Sequence, residues 1–360
     1  MKWPNNPFQI THADHNTIVS MEGIRGFAVF LVFLVHYTTL AKPWINPGSF
    51  TYAVAAYLQS VGNIGVDLFF VLSGFLIYGM LIKKRKPLLN YVRRRIQRIY
   101  PTFTAVFIIY LVLSIVFPNE SKIPSSPVHG TIYVIKNYLL LPGLFNIQPI
   151  ITVAWSLSYE FFYYLITPLV IFCFNLRSWP HKFRVLLFLF VSVLMFVYFS
   201  HYPRHIRLLM FISGILLYET VSHYPLRKSL YLGLPALIMA LGSVAILQKL
   251  NIDDYWRYPI LFVLFYIFCL ECFSPPNFSA RLFSLDPIRW LGNMSYSYYL
   301  MHGLALKFIF LIATRTYPPI NDHACLFWVF LPAAFCLTLV PSALLFVYVE
   351  KPYSLSPRSA

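Results

Sequence analysis

Ten apolar stretches, each near the length a helix needs to cross a bilayer, constrain this chain more than any other feature. One crossing takes about 20 residues. The stretches fall at 22–41, 60–82, 99–117, 153–174, 185–199, 205–220, 229–248, 258–273, 290–313 and 325–349. Hydrocarbon offers no water to backbone N–H and C=O groups, so each stretch must close its hydrogen bonds within a helix. The fold class that follows is all-α: a polytopic transmembrane bundle of about ten spans. Composition agrees, with 59% hydrophobic and 11% charged residues among 360. A soluble domain carries roughly 25% charged residues, so this chain could not cover a water-facing surface. A weaker apolar stretch, 131–145, runs into Pro142 and Gly143 and is expected to lie at the interface or to re-enter the membrane. The first 20 residues are polar and lack the apolar core of a cleavable signal peptide. Repeats and low-complexity segments are absent. Residues 1–360 are therefore expected to form one domain with its core at 20–352 and no soluble extra domain.

Charge gives an orientation. Lys and Arg number 28 against 12 Asp and Glu, a net charge of +16. In a soluble chain such an excess points to nucleic acid. In a membrane chain it points first to cytoplasmic loops, so no nucleic-acid partner is expected. The segment after the second span holds Lys83, Lys84, Arg85, Lys86, Arg93, Arg94, Arg95 and Arg98. Placing it in the cytoplasm and alternating the remaining loops also puts Lys2, Arg25, Arg177, Lys182, Arg184, Arg227, Lys228, Arg281, Arg289, Lys351 and Arg358 inside. Glu120, Asp253, Asp254 and Asp322 then lie outside. Both termini are expected in the cytoplasm.

Charged groups within spans are costly and are functional candidates by default. Arg25 and His36 both lie in the first span. Eleven positions at 100° each bring them to within about 20° of one face, with an axial offset of about 16 Å. A guanidinium at the cytoplasmic mouth and an imidazole deeper on the same stripe suit a ligand lying along the helix. The same residues could also be a snorkelling anchor and a helix-packing hydrogen bonder. Arg95 and Arg98 are i, i+3 neighbours that can share a face. Arginine forks suit phosphate, and anionic membrane lipids would explain the cluster equally well.

Asp67 in the second span and Glu160 in the fourth each fall about two turns below the expected outer surface. Depth therefore allows His36, Asp67 and Glu160 to meet in one layer, where a carboxylate would orient an imidazole. Structural pairing of buried charges is the plainer alternative. The ninth span carries Ser295-Tyr-Ser-Tyr-Tyr-Leu-Met-His302, a polar strip suited to packing or to lining a pore. The five cysteines, Cys269 and Cys272 included, lie in or beside apolar stretches and read as small membrane-embedded hydrophobes. The remaining histidines have no metal-ligand spacing, so no metal is expected. Phosphate-loop, GxSxG and HExxH motifs are missing.

Taken together, these segments resemble the acyltransferase-3 family of polytopic membrane proteins that O-acylate glycans. The residues that carry the resemblance are Arg25 and His36 with ten residues between them, and the Gly65–Phe75 run ending Phe-Phe-Val-Leu-Ser-Gly-Phe. Arg95-x-x-Arg98-Ile-Tyr-Pro, Trp155-Ser-Leu-Ser-Tyr-Glu160, Leu291-Gly-Asn-Met-Ser-Tyr-Ser-Tyr-Tyr-Leu-Met-His302 and a closing Glu350-Lys-Pro complete it. Where many relatives have a polar pair after the glutamate, Phe161 and Phe162 stand here.

The resemblance implies a transferase of the bacterial inner membrane that moves an acyl group, usually acetyl, from cytoplasmic acyl-CoA. The acceptor would be a hydroxyl of an extracytoplasmic polysaccharide or isoprenoid-lipid-linked glycan. Arg25, Arg95 and Arg98 would then hold the phosphates of the donor. His36 would be the general base or a transient acyl carrier. Glu160, with Asp67 second, would orient it, and His302 and Ser73 would line the path. Acceptor choice is expected in outer loops 42–59 and 118–152. The rival reading is a proton-coupled glycan or lipid transporter, in which His36, Asp67 and Glu160 form a proton relay. A further alternative is a structural subunit of a glycan-assembly complex.

Overall fold

The computed structural model describes residues 7–10, 18–83, 87–224, 231–274, 277–319 and 324–355. The described residues are 84% helical, with no strand among them. Lys2, Lys84, Arg85, Lys86, Arg227, Lys228, Asp322 and Arg358, all used in reading the orientation, lie outside the described residues.

Thirteen α-helices follow in chain order among the described residues. They are α1 (Val19–Ala41), α2 (Phe50–Lys83), α3 (Leu88–Val116), α4 (Pro127–Tyr138), α5 (Trp155–Cys173), α6 (His181–His201) and α7 (Leu209–His223). After these come α8 (Gly233–Lys249), α9 (Arg257–Cys272), α10 (Phe278–Leu282), α11 (Asp286–Asn293), α12 (Ser295–Thr316) and α13 (Ala324–Leu345), which runs into a π-helical end at Phe346–Leu355. Nine helical segments among the described residues are long and apolar enough to cross a membrane. The expected span at 229–248 coincides with α8, whose 17 residues make it the short one. The chain is an integral, multi-pass membrane protein.

Three boundaries differ from the expected ones, for one reason. Hydropathy marks where a helix enters hydrocarbon, not where its hydrogen bonds begin. Helix α2 starts at Phe50, so the loop expected at 42–59 is in large part its first turns. Helix α3 starts at Leu88, which puts the whole arginine run on a helix. The 131–145 stretch overlaps α4, which already starts at Pro127; its 12 residues, about 18 Å, are too short to cross a bilayer, in keeping with the interfacial segment expected there.

Close backbone approaches set the register of α1. A Cβ at Gly26 would stand 2.1 Å from Ile288 O, and one at Gly292 would stand 1.7 Å from Glu22 O. No side chain fits either place, so the α1–α11 crossing is as tight as backbones allow, and it fixes which way Arg25 faces. On its other side α1 packs antiparallel to α2. Gly62 there meets Leu31 and Val35, while Gly65 meets Ala28. Helix α6 is built the other way out. Leu186, Phe190, Val193 and Val197 are exposed along one stripe, and Arg184, Phe188 and Ser192 are buried on the opposite one. An apolar outward stripe with the polar groups turned inward is the pattern expected of a lipid-facing helix.

Candidate active site

Two cavities lie along the face of α1 that carries Arg25 and His36, one at each end. Both residues meet α12: Arg25 Nη2 donates to Ser295 Oγ at 3.0 Å, and the His36 ring lies 5.0 Å from that of His302. Helices α1 and α12 therefore run parallel, and the single-face spacing read from the sequence holds.

The first cavity, about 160 Å³, is lined by Arg25, Arg95 and Arg98, with Ser73, Glu160 and Tyr164 among its other walls. Its three guanidinium groups are not equivalent. Arg98 Nη1 lies 2.7 Å from Glu350 Oε1, and the other Glu350 oxygen accepts from Ser297 N at 3.0 Å and Ser297 Oγ at 2.6 Å. This carboxylate is fully buried, and its hydrogen bonds come from two helices. Arg98 is thus neutralised and locked.

Arg95 instead stacks over the rings of Tyr91 at 5.3 Å and Tyr164 at 5.1 Å, with Nη2 2.9 Å from Met80 S. Arg25 has the Ser295 hydroxyl. Among the described residues no carboxylate lies within 4.0 Å of Arg25 or Arg95. Two partly enclosed cations without an ion-pair partner are costly in a membrane protein, and an anion entering between them would offset that cost. Glu160, on the same wall, accepts from Tyr164 Oη, and Ser73 Oγ lies 3.5 Å away.

The second cavity, about 240 Å³, opens at the opposite end of α1. His36, Thr39, Lys122, Thr152 and Lys307 line it, with Glu120 on its wall. Asn137 holds part of the wall in place: its Oδ1 accepts from Ile150 N at 2.7 Å, tying α4 to the 150–153 segment. Both cavities are smaller than the roughly 300 Å³ at which pockets begin to enclose a whole drug-sized ligand.

Tyr299 stands at the wall between them. It lines the first cavity, and its hydroxyl lies 2.7 Å from Ser156 Oγ and donates to Val153 O at 3.1 Å, where Val153 lines the second.

The expected meeting of His36 with two carboxylates is not what the structure shows. Among the described residues, no hydrogen bond or ion pair joins His36 to Glu160 or Asp67. Glu160 belongs to the arginine cavity. Asp67 is fully buried, 3.8 Å from Arg207 Nε, and neither of its oxygens has a hydrogen bond. Depth along a span fixes height but not direction, and α2 also begins ten residues earlier than its apolar stretch, so counting from position 60 misjudged its length.

The group beside His36 is another imidazole. His302 is fully buried, and its Nδ1 lies 2.9 Å from Tyr298 O. A carbonyl only accepts, so Nδ1 carries the proton and Nε2 holds a lone pair. That Nε2 is buried without a hydrogen-bond partner. From the sequence His302 reads as possible lining only, and Tyr299 and Ser156 were not singled out. The usable signal is helical spacing: Ser295, Tyr299 and His302 are four and three apart, on one face.

These features coincide with comparisons to known proteins. The acyltransferase-3 family model, described as an acyltransferase domain, matches residues 18–347. The chain belongs to this family. Among curated relatives, the O-acetyltransferase OatA of Staphylococcus aureus (strain NCTC 8325 / PS 47) is 25% identical over 323 residues, covering 80% of this chain and 50% of the relative. The peptidoglycan O-acetyltransferase OatA of Listeria monocytogenes (serovar 1/2a, strain ATCC BAA-679 / EGD-e) is 24% identical over 333 residues, covering 81% and 50%. The chain spans about half the length of the curated relatives it matches. No solved structure matches it.

Proposed function

We propose that this chain is a membrane O-acetyltransferase that takes acetyl from cytoplasmic acetyl-CoA and delivers it to a hydroxyl of an extracytoplasmic polysaccharide or lipid-linked glycan. The arginine cavity would face the bacterial cytoplasm, as would both termini. The observation that carries this reading is the pairing of two unlike cavities on one helix. At one end stand two cations with no carboxylate partner among the described residues, and at the other an imidazole, with a thin wall of Tyr299, Ser156 and Val153 between them.

Coenzyme A is a polyanion with a long thin arm ending in the thioester. Arg25 and Arg95 would take its phosphates, and the first cavity would admit the arm rather than the nucleotide. Arg98, already held by Glu350, would frame the mouth. The arm would reach the wall at Tyr299, and a glycan hydroxyl would enter the second cavity beside His36. His36 takes the hydroxyl proton as the oxygen attacks the thioester carbonyl. The C–S bond breaks, an ester forms, and the proton leaves His36 for the departing thiolate. His302, whose ring packs 5.0 Å from that of His36, would be the positioning residue here. Glu160 acts at a distance from this step: it fixes Tyr164, the ring under Arg95.

The family membership and the O-acetyltransferase relatives support this reading. The experiment is incubation of purified protein in proteoliposomes with radiolabelled acetyl-CoA and peptidoglycan fragments. Label on the glycan is the expected result. Glycan crossing the membrane unlabelled would instead indicate a transporter, and protein that binds no acetyl-CoA would indicate a structural subunit.

A further inference from the structure

The acceptor cavity has a charge that its proposed chemistry does not require. Acyl transfer to a neutral sugar needs a base and room for a ring, and His36 with Thr39 and Thr152 provides both. Yet two ammonium groups line the same space. Lys122 sits between α3 and α4, and Lys307 comes from α12, one and a half turns beyond His302. Lys122 Nζ donates to Pro149 O at 2.9 Å and Thr152 Oγ1 at 3.3 Å. An ammonium has three donors, so one remains. Lys307 is exposed at the mouth. Among the described residues no carboxylate lies within 4.0 Å of either lysine. Glu120 shares the wall but pairs with neither.

Resting on the transferase reading, we propose that this cavity selects an acceptor carrying an anionic group close to the hydroxyl that is acylated. Lys122 and Lys307 would bind that group while His36 meets the hydroxyl. A carboxylate on the sugar or a phosphate of a lipid carrier would supply the anion. Burial, and then the nearby Lys307 ammonium, lower the pKa of Lys122. Two like charges held together this way gain from a shared counter-charge. An ammonium is a point charge without the fixed fork of a guanidinium, so it accepts either source.

The test uses three probes on the full chain in nanodiscs. The first is the N-acetylglucosamine–N-acetylmuramic acid tetrasaccharide with free lactyl carboxylates. The second is the same glycan as its methyl ester, and the third is that ester on a polyprenyl diphosphate. Binding and acetyl transfer are both measured, with Lys122→Gln, Lys307→Gln and the charge-keeping Lys122→Arg and Lys307→Arg. If the anion is the sugar carboxylate, the first probe binds better than the second. Each glutamine variant then raises its KM about fivefold, near the upper end for a part-exposed ion pair, and the arginine variants keep the preference. If the anion is the carrier phosphate, the third probe shows that pattern. Equal binding of all three probes, with no change in Lys307→Gln, would overturn the proposal. Lys307 is exposed, so its variants are not expected to disturb folding. If a charge preference in binding is seen but no acetyl is transferred to any probe, the anion site stands and the transferase reading fails.

Discussion

The two cavities differ in how their charges are held, and the difference separates binding from chemistry. At the arginine end, three guanidinium groups converge from α1 and α3, yet among the described residues only Arg98 has a carboxylate, the buried Glu350. At the histidine end, the His36 imidazole has no carboxylate partner among the described residues and sits 5.0 Å from a second imidazole instead. In the proposed function, one end would receive negative charge and the other would move a proton. One helix joins them over about 16 Å. A long flexible donor arm fits that spacing, because no single compact substrate could touch both ends.

The largest effect should come from His36→Ala. Loss of a general base costs about 10²–10⁴ in turnover, so acetyl transfer should fall to background while acetyl-CoA affinity stays within twofold. Steady-state assays with a binding isotherm on the same preparation check this. Loss of acetyl-CoA binding in that variant would erase the division between the ends.

Next, Glu350→Gln should break the pair that distinguishes Arg98 from its neighbours. Removing one partner of a buried ion pair costs about 3–5 kcal/mol, here with Glu350 fully buried and three hydrogen bonds to its carboxylate. A thermal-unfolding scan in detergent should show a clear drop, and an unchanged midpoint would make the pair peripheral.

Arg95→Ala should raise the acetyl-CoA KM about tenfold or more, as expected for a charge-assisted contact worth about 1.5–3 kcal/mol. The glycan KM should stay put. An unchanged acetyl-CoA KM would return the arginines to membrane topology. Smaller still is Glu160→Gln. If Glu160 works through Tyr164 and Arg95, the variant raises the acetyl-CoA KM a few-fold and leaves the pH profile of turnover alone. A fall in turnover with a displaced profile would restore the pairing of Glu160 with His36 expected from the sequence.

That last contrast marks the limit of the sequence as a guide. The helical membrane fold is legible because runs of about 20 apolar residues leave the backbone no alternative. Arg95 and Arg98 are legible because i, i+3 spacing on a helix defines a face whatever surrounds it, and both do line one cavity. Arg25 and His36 are legible for the same reason. The partners of His36 are not. Asp67 and Glu160 share its estimated depth, but the direction of each side chain depends on helix rotation, which is set by glycine contacts between distant segments such as Gly26 with Ile288. A lone histidine within a Ser/Tyr strip stands out less in a sequence than a carboxylate inside an apolar run, so His302 is legible only as lining. Lys122 and Lys307, 185 positions apart in the chain, could be joined only by the folded structure.

In the proposed function, one acetyl group passes from the arginine end to the histidine end, across the membrane. Proteoliposomes with the protein in a single orientation can test it directly. Radiolabelled acetyl-CoA is sealed on the side of Arg25 and Arg95, and the glycan acceptor is supplied only on the side of His36. The expected result is label on the glycan, abolished by His36→Ala. Labelling that occurs only when donor and acceptor share one compartment would contradict the account.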